Sequence, residues 1–192
     1  MTQTDTIFAL SSGQPPAGIA IIRISGPEAG RVLDVLAGGR PEPRQAVYRR
    51  FRDIGGVPLD DGLALWFPGP KSATGEDLAE LQVHGGRAVV AAVLNALGRM
   101  ESCRPAQAGE FTRRALENGR IDLTEAEGLA DLLAAETEAQ RQSAFALAEG
   151  GLGRLVANWE KQLLIESARV EALLDFADEG DVDDSGHDTG PL

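Results

Sequence analysis

A single arginine lies within an apolar segment near the start of the chain. Residues 18–24 read Gly-Ile-Ala-Ile-Ile-Arg-Ile, and Ser25-Gly26-Pro27 follows them. A buried guanidinium needs a partner, and this planar group can bind a carboxylate through two parallel hydrogen bonds. Arg23 could therefore bind a carboxylate or other anion. Equally, it could be structural, facing water on an edge strand or forming an internal ion pair, and residue type alone does not separate these alternatives.

A row of polar side chains is the second candidate for chemistry. Residues 78–84 read Leu-Ala-Glu-Leu-Gln-Val-His, which predicts a strand. Because side chains alternate along a strand, Glu80, Gln82 and His84 are expected to share one face. A carboxylate, an amide and an imidazole on one face could bind the donors of a polar heterocycle. Taken alone, however, the row is better explained as the solvated face of an antiparallel strand.

A short basic segment between glycines is the third candidate. Gly109-Glu110-Phe111-Thr112 opens it, Asn118-Gly119 is typical of a helix end, and Arg120 follows. Arg120 could bind an anion. Basic residues near the end of a helix also compensate its dipole, which is an alternative without a ligand.

The elements that must position these residues form an irregular mixture of strands and helices. The pattern predicts strands at 18–24, 48–53, 62–67 and 78–84, and helices from Pro27 to the Gly38-Gly39 pair and over 87–100. Because strands and helices do not alternate regularly, the fold class expected is α+β rather than a doubly wound sheet.

The second part of the chain is predicted to be helical. Thr124 and Glu127 fit a capping box, which predicts one long helix to about Ala148. After a glycine-rich break, a second helix carries an apolar stripe, interpreted as core packing. The stripe consists of Leu152, Val156, Trp159, Leu163, Val170 and Leu174. Two helices alone cannot bury their stripes and need the N-terminal domain, a second copy or further chain. The domains expected are 1–118, 119–178 and an acidic linker or tail at 179–192.

Composition and charge narrow the class of protein. The 192 residues are 43% hydrophobic and 25% charged, which is typical of soluble globular proteins. Residues 1–120 hold 14 Lys+Arg and 13 Asp+Glu, whereas residues 121–192 hold 4 and 17. We therefore do not expect the acidic second segment to provide the main contacts with RNA. No apolar run could span a membrane, no basic leader is present, and Cys103 stands alone, so we expect a cytoplasmic location.

Several common catalytic motifs do not occur in this sequence. It has no phosphate-binding Gly-x-x-x-x-Gly-Lys-Ser/Thr, no Gly-x-Ser-x-Gly and no His-Glu-x-x-His. Its two histidines, His84 and His187, are far apart. We therefore expect no catalytic residues and no histidine-built metal site in this chain, and we expect the chain by itself neither to bind nor to hydrolyse GTP.

The motifs taken together, in their order, resemble those of the tRNA-modification GTPases of the MnmE (TrmE) family. The resemblance runs from Asp5 to about Asp178. The segments that carry it are 5–10, Arg23-Ile24-Ser25-Gly26-Pro27, Thr74-Gly75-Glu76-Asp77, His84-Gly85-Gly86, Gly109-Glu110-Phe111-Thr112, Asn118-Gly119-Arg120 and Asp122-Leu123-Thr124.

This resemblance implies a fold and a function. The N-terminal domain would be of the tetrahydrofolate-binding type found in aminomethyltransferases, followed by a helical hairpin that begins the helical domain. It would dimerise and bind 5-formyl- or methylene-tetrahydrofolate, the presumed one-carbon donor. With its FAD-containing partner MnmG, the full-length protein would modify carbon 5 of the wobble uridine (position 34) in certain tRNAs. GTP, potassium and magnesium would belong to a GTPase domain that this sequence does not contain.

The resemblance also implies folate-binding residues: Arg23, Glu80 and Arg120, the last often lysine in the family. Which basic residue meets which end of the folate stays open. Two other interpretations also stay open, a stand-alone aminomethyltransferase-like folate enzyme and a structural dimer scaffold.

Overall fold

The computed structural model describes residues 5–175. For Asp175, the last of these, it describes the backbone but not the side chain. The chain divides into two compact units, and the division falls after Leu123. The predicted linker or tail at 179–192 lies outside the described residues.

A six-stranded sheet forms the framework of the first unit. Its strands are β1 (Thr6–Leu10), β2 (Ile19–Ser25), β3 (Val47–Arg52), β4 (Pro58–Phe67), β5 (Leu78–His84) and β6 (Cys103–Pro105). They lie in the order β3-β4-β5-β2-β1-β6. All neighbours are antiparallel except β1 and β6, which are parallel. The two strands with the candidate residues, β2 and β5, are therefore neighbours in the middle of the sheet.

Two helices, α1 (Ala29–Leu36) and α2 (Arg87–Gly98), cover one face of this sheet. The hydrophobic core lies between these two helices and the face of the sheet that they cover. Among the strand residues on that face, Ile22, Ile24 and Leu81 are fully buried. Since side chains alternate, Arg23 lies on the opposite face, between two core isoleucines of its own strand. The expected α+β class is confirmed. Strands β1 and β6 were not predicted, and β6 is too short to give a periodic signal.

A third helix, α3 (Glu110–Glu117), follows β6 and ends as the sequence predicts. Gly119 adopts a left-handed φ of 63°, its N–H donates to Leu116 O at 3.0 Å, and the Arg120 N–H donates to Ala115 O at 2.8 Å. This pair of bonds is a Schellman motif, which reverses the chain immediately after the helix. The glycine therefore fixes the direction in which Arg120 leaves α3.

The second unit contains three helices where two were predicted. They are α4 (Leu123–Ala134), α5 (Glu138–Ala148) and α6 (Gly151–Asp175). The single helix predicted from Thr124 to Ala148 was wrong, because Thr137 starts a new helix. The Thr137 hydroxyl accepts from Gln140 N at 3.2 Å, and Gln140 Oε1 accepts from Thr137 N at 3.0 Å. Helix α4 also begins one residue before the predicted N-cap, Thr124.

The apolar stripe of α6 is largely uncovered by the other helices of its unit. Trp159 is 56% exposed, Leu163 71% and Leu174 73%. The stripe was interpreted from the sequence as core packing, but it is not buried among the described residues, in agreement with the expectation that the two predicted helices cannot bury their stripes alone. Within residues 5–175, no helix combines the length and apolar character needed to cross a membrane.

Candidate functional site

Arg23 and Glu80 form an ion pair across two central strands. They are direct register partners on β2 and β5. Arg23 Nε and Nη2 both donate to Glu80 Oε1, at 3.0 and 2.8 Å. The Glu80 side chain is 13% exposed and that of Arg23 is 33% exposed. The acidic partner that an arginine in an apolar strand requires is therefore supplied by the protein itself.

The geometry of this pair leaves hydrogen-bonding capacity unused. Within the described residues, Glu80 Oε2 accepts no hydrogen bond, because both Arg23 donors bind Oε1. A carboxylate can accept hydrogen bonds through both of its oxygens. The pair thus presents a charged acceptor to a ligand with N–H donors.

Apolar and aromatic groups flank the pair. The Arg23 guanidinium carbon lies 6.0 Å from the centroid of the Phe111 ring, which belongs to α3. Ala9 of β1 is the register partner of Arg23, and Leu65 of β4 is the register partner of Glu80. An aromatic ring and apolar side chains beside a largely buried carboxylate suit a flat, polar ring system.

The rest of the predicted polar row follows the strand alternation. Glu80 and Gln82 are half-buried and His84 is exposed, while Ala79, Leu81 and Val83 between them are buried. His84 makes a close contact with Asp60 of β4. Its Nδ1 lies 2.9 Å and 3.1 Å from the two carboxylate oxygens, and its main-chain N–H donates to Asp60 Oδ2 at 2.7 Å.

A buried ionic network anchors α3 to the sheet. The Arg114 side chain is fully buried. Its Nη1 donates to Glu76 Oε2 at 3.1 Å and to the Asp5 carbonyl at 3.0 Å, and its Nη2 donates to Asp5 Oδ1 at 3.0 Å. The equally buried Glu110 accepts from Arg104 Nη1 at 2.9 Å and Nη2 at 2.6 Å. The network holds the helix that carries Phe111.

The same network reaches the strand of Arg23. Ser25, two residues further along β2, donates from its hydroxyl to Glu76 Oε2 at 2.8 Å, and its oxygen lies 2.7 Å from the Thr74 hydroxyl. Glu76 therefore connects β2 with Arg114 of α3. Three segments that are distant in sequence, around residues 25, 76 and 114, are fixed together beside the Arg23–Glu80 pair.

Arg120 lies against the loop between β4 and β5. Its Nε donates to the Ser72 carbonyl at 3.1 Å. Gly75, at a φ of 81°, permits this approach, since a Cβ at that position would lie 2.8 Å from Asn118 Cβ and 3.1 Å from Arg120 Cγ. The structure thus brings Arg23 and Glu80 together. Arg120 makes no hydrogen bond or ion pair with either of them within the described residues.

A well-defined cavity of the first unit lies elsewhere. It has a volume of about 660 Å³ and lies between the end of β1, the end of α2 and the residues after β6. None of Arg23, Glu80 and Arg120 lines it. The chemistry of the charged residues, rather than the size of a cavity, identifies the candidate site.

Comparison with known families agrees with the fold. A family profile described as the N-terminus of the GTP-binding protein TrmE matches residues 6–120. This chain belongs to the MnmE (TrmE) family. A second profile, described as the MnmE helical domain, matches residues 123–189.

Curated relatives carry the name tRNA modification GTPase MnmE. The chain is 61% identical to the one from Methylorubrum populi over 185 residues, which cover 96% of this chain and 42% of the relative. It is 63% identical to the one from Novosphingobium aromaticivorans over 180 residues, covering 93% of this chain and 41% of the relative. The chain therefore spans about two-fifths of the length of these MnmE relatives.

Sequence reasoning missed the residues of the buried network in this MnmE chain. Glu76, Glu110 and Arg114 all lie in or next to motifs that carry the family resemblance, yet the basic character of α3 was explained by helix-dipole compensation. A signal was present, because Glu110 and Arg114 are four residues apart on a helix and can pair there. Their burial was not visible, since it depends on Asp5 and Glu76, 109 and 38 positions away from Arg114.

The network should make the first unit sensitive to acid. The hydrogen bond from Arg104 above all, with the Gln107 N–H and Arg114, lowers the pKa of Glu110 from its usual 4.5 to about 2. A carboxyl with a lowered native pKa contributes stability that is present above its unfolded pKa and lost as the pH falls through its native pKa. We expect about 3 kcal/mol of unfolding free energy to be lost between about pH 5 and pH 2 through Glu110.

Urea denaturation at a series of pH values tests this expectation. The Glu110→Gln variant should be less stable at neutral pH and should lose that part of the acid sensitivity. Glu117→Gln, at the half-exposed end of the same helix, is the matched control and should keep the parent's pH profile. Identical profiles for the parent and Glu110→Gln would contradict the assignment.

Proposed function

We propose that this chain is the folate-binding, dimerising N-terminal module of a tRNA-modification GTPase. The observation that carries the proposal is the Arg23–Glu80 pair, a largely buried carboxylate with one oxygen unoccupied by the described residues. The names of the relatives support the wider role. In that role the full-length protein acts with MnmG on carbon 5 of the wobble uridine, with tetrahydrofolate as the one-carbon donor.

The chemistry of a pterin suits the Glu80 carboxylate. The amino group and the adjacent ring N–H of a pterin form a pair of parallel donors, and a carboxylate with Arg23 beside it is a matching acceptor. Phe111 offers an aromatic face next to the pair, 6.0 Å from the guanidinium. We therefore assign 5-formyl- or methylene-tetrahydrofolate as the ligand, with its pterin end at Glu80 and Arg23.

Arg120 completes the proposed site from the side of the β4–β5 loop. Its Nε is occupied by the Ser72 carbonyl, which leaves the rest of its guanidinium for a ligand or for nearby acids. Gly75 and the Schellman turn after α3 hold it at this loop. In this arrangement Arg120 supplies a positive charge at the side of the proposed site. The ammonium group of a lysine could supply the same charge, although not the same hydrogen-bond geometry.

Titration of the chain with 5-formyltetrahydrofolate in a calorimeter tests the proposed ligand. We expect saturable binding with one ligand per chain. Absence of binding at millimolar ligand, with the chain folded by circular dichroism, would refute folate binding and favour the structural-scaffold interpretation.

We also expect the chain to be a homodimer through its first unit. The open side of the sheet carries exposed apolar side chains, Ile19 at 63% and Tyr48 at 66%, that a second copy could cover. Sedimentation equilibrium at micromolar concentration should give twice the mass of the chain.

Deleting residues 124–192 separates two explanations of a dimer. The truncated first unit should still dimerise if the sheet domain forms the interface. A monomeric truncated unit would show instead that the exposed stripe of α6 holds the copies together, and a monomeric full chain would contradict the dimer altogether.

A further inference from the structure

The contact between His84 and Asp60 is not explained by the packing of the sheet. The His84 side chain is 72% exposed, whereas that of Asp60 is 13% exposed. Asp60 binds both the main chain and the ring of His84, so it fixes the residue in place rather than being fixed by it. Holding an exposed imidazole against a largely buried carboxylate costs side-chain conformational entropy, which a surface side chain without a function has no need to lose.

The contact determines which ring nitrogen is available. Because a carboxylate only accepts hydrogen bonds, Nδ1 must carry a proton when it binds Asp60. The second nitrogen, Nε2, then faces away from Asp60 and has no partner among the described residues. In a doubly protonated ring Nε2 becomes a hydrogen-bond donor.

The position of His84 relates it to the proposed folate site. His84 lies four residues from Glu80 on the same strand and by alternation on the same face, roughly 13 Å away along β5. If the pterin binds at Glu80, the part of a folate that can reach His84 is its far end. That end is the benzoyl-glutamate arm, which carries carboxylates.

The ring of His84 can donate to an anion through Nε2 only when both ring nitrogens carry protons. While Nδ1–H is bound to Asp60, a neutral ring offers only the lone pair of Nε2, to which an ionised carboxylate cannot donate. Asp61 of β4 also lies near His84, and it is paired with Arg50 of β3 at 2.8 Å.

We propose that His84, held by Asp60, binds the carboxylate arm of the folate as an imidazolium, and that ligand binding at this site therefore takes up a proton. The proton comes from solvent and binds Nε2, and the new N–H donates to a ligand carboxylate. This inference rests on the proposed folate binding and adds a residue that determines specificity for the arm.

Calorimetric titration with 5-formyltetrahydrofolate tests it in two buffers of different ionisation enthalpy, at about pH 6 and about pH 8, a range in which the ligand's carboxylates stay ionised. We expect affinity to be about three- to fivefold higher at the lower pH, as for an ion pair at a partly exposed site. Proton uptake should be measurable on binding by the parent chain and lost in His84→Gln, which should bind with an affinity nearly independent of pH. Asp60→Asn keeps an oxygen for the His84 main chain but removes the charge, and should reduce the uptake.

The controls separate the possible failures. His187→Gln removes the other histidine of the chain and should leave proton uptake unchanged. Folate binding without proton uptake, or with uptake that persists in His84→Gln, overturns this inference and leaves the proposed function standing. A folded parent chain that binds no folate overturns both.

Discussion

Replacing Arg114 by methionine is expected to lower the unfolding free energy of the first unit by about 3–5 kcal/mol, because it leaves the largely buried Glu76 without its cation and takes one of two cations from the buried Glu110. The Arg114 and Glu110 side chains are both fully buried, and Glu76 is 18% exposed. Urea denaturation followed by the fluorescence of the buried Trp66 measures the change. A Trp159→Phe background removes the signal of the second of the two tryptophans in the chain.

Arg113→Met is the matched control for this variant. Arg113 is the neighbouring residue on α3, 52% exposed, and its ion pairs with Glu110 and Glu117 are longer, at 3.5 and 3.8 Å. Exposed pairs contribute about 0–1 kcal/mol, so this control should be close to the parent. Equal stability of the two variants would show that the network does not anchor α3.

Glu80→Ala is expected to weaken binding of 5-formyltetrahydrofolate by roughly 30-fold or more. Truncating one member of a charge pair in a site costs about 2–5 kcal/mol of binding, and about 1.4 kcal/mol is a factor of ten. The variant removes the proposed pterin acceptor and leaves Arg23 without its partner. Calorimetric titration of the variant and the parent measures the ratio, and sedimentation should show the dimer intact.

Asp34→Ala is a suitable control for Glu80→Ala. It also removes a carboxylate paired with an arginine, at 2.8 Å from Arg40, but on α1 at the other face of the sheet. Its folate affinity should equal that of the parent. Arg120→Lys should have a milder effect than Glu80→Ala, because the charge is kept. Parent-like binding by Glu80→Ala would mean that the assigned site is wrong.

The elements of the site were predictable from local sequence, but their contacts were not. The apolar segment around Arg23 and the alternating row that begins at Glu80 each predict a strand without help from the rest of the chain. That these two strands are neighbours, with Arg23 directly opposite Glu80, depends on a sheet order that no local pattern encodes. Residue type alone therefore did not distinguish a structural ion pair from a ligand-binding role for Arg23. The two roles are compatible with each other.

The second unit shows a local signal that was present and overlooked. Thr137 and Gln140 have the spacing of a capping box, as do Thr124 and Glu127. The second box starts α5 and divides the helix that was predicted as one. For Arg114 the local signal was only partial, because its spacing from Glu110 indicates a helical pair but a basic residue on a short amphipathic helix is normally solvated, and only distant partners explain its burial.

The buried network joins the part of the first unit that is synthesised first to the part that is synthesised last. Arg114 binds Asp5 across 109 positions, and Arg104 binds it across 99. On a ribosome, β2 and β5 can pair and bring Arg23 to Glu80 before α3 has been made, but Phe111 cannot be fixed beside them until Arg114 emerges. The Arg23–Glu80 pair can therefore form before Phe111 is fixed beside it, and the pair stays open to solvent while the segment from Gly85 to Arg114 is being added.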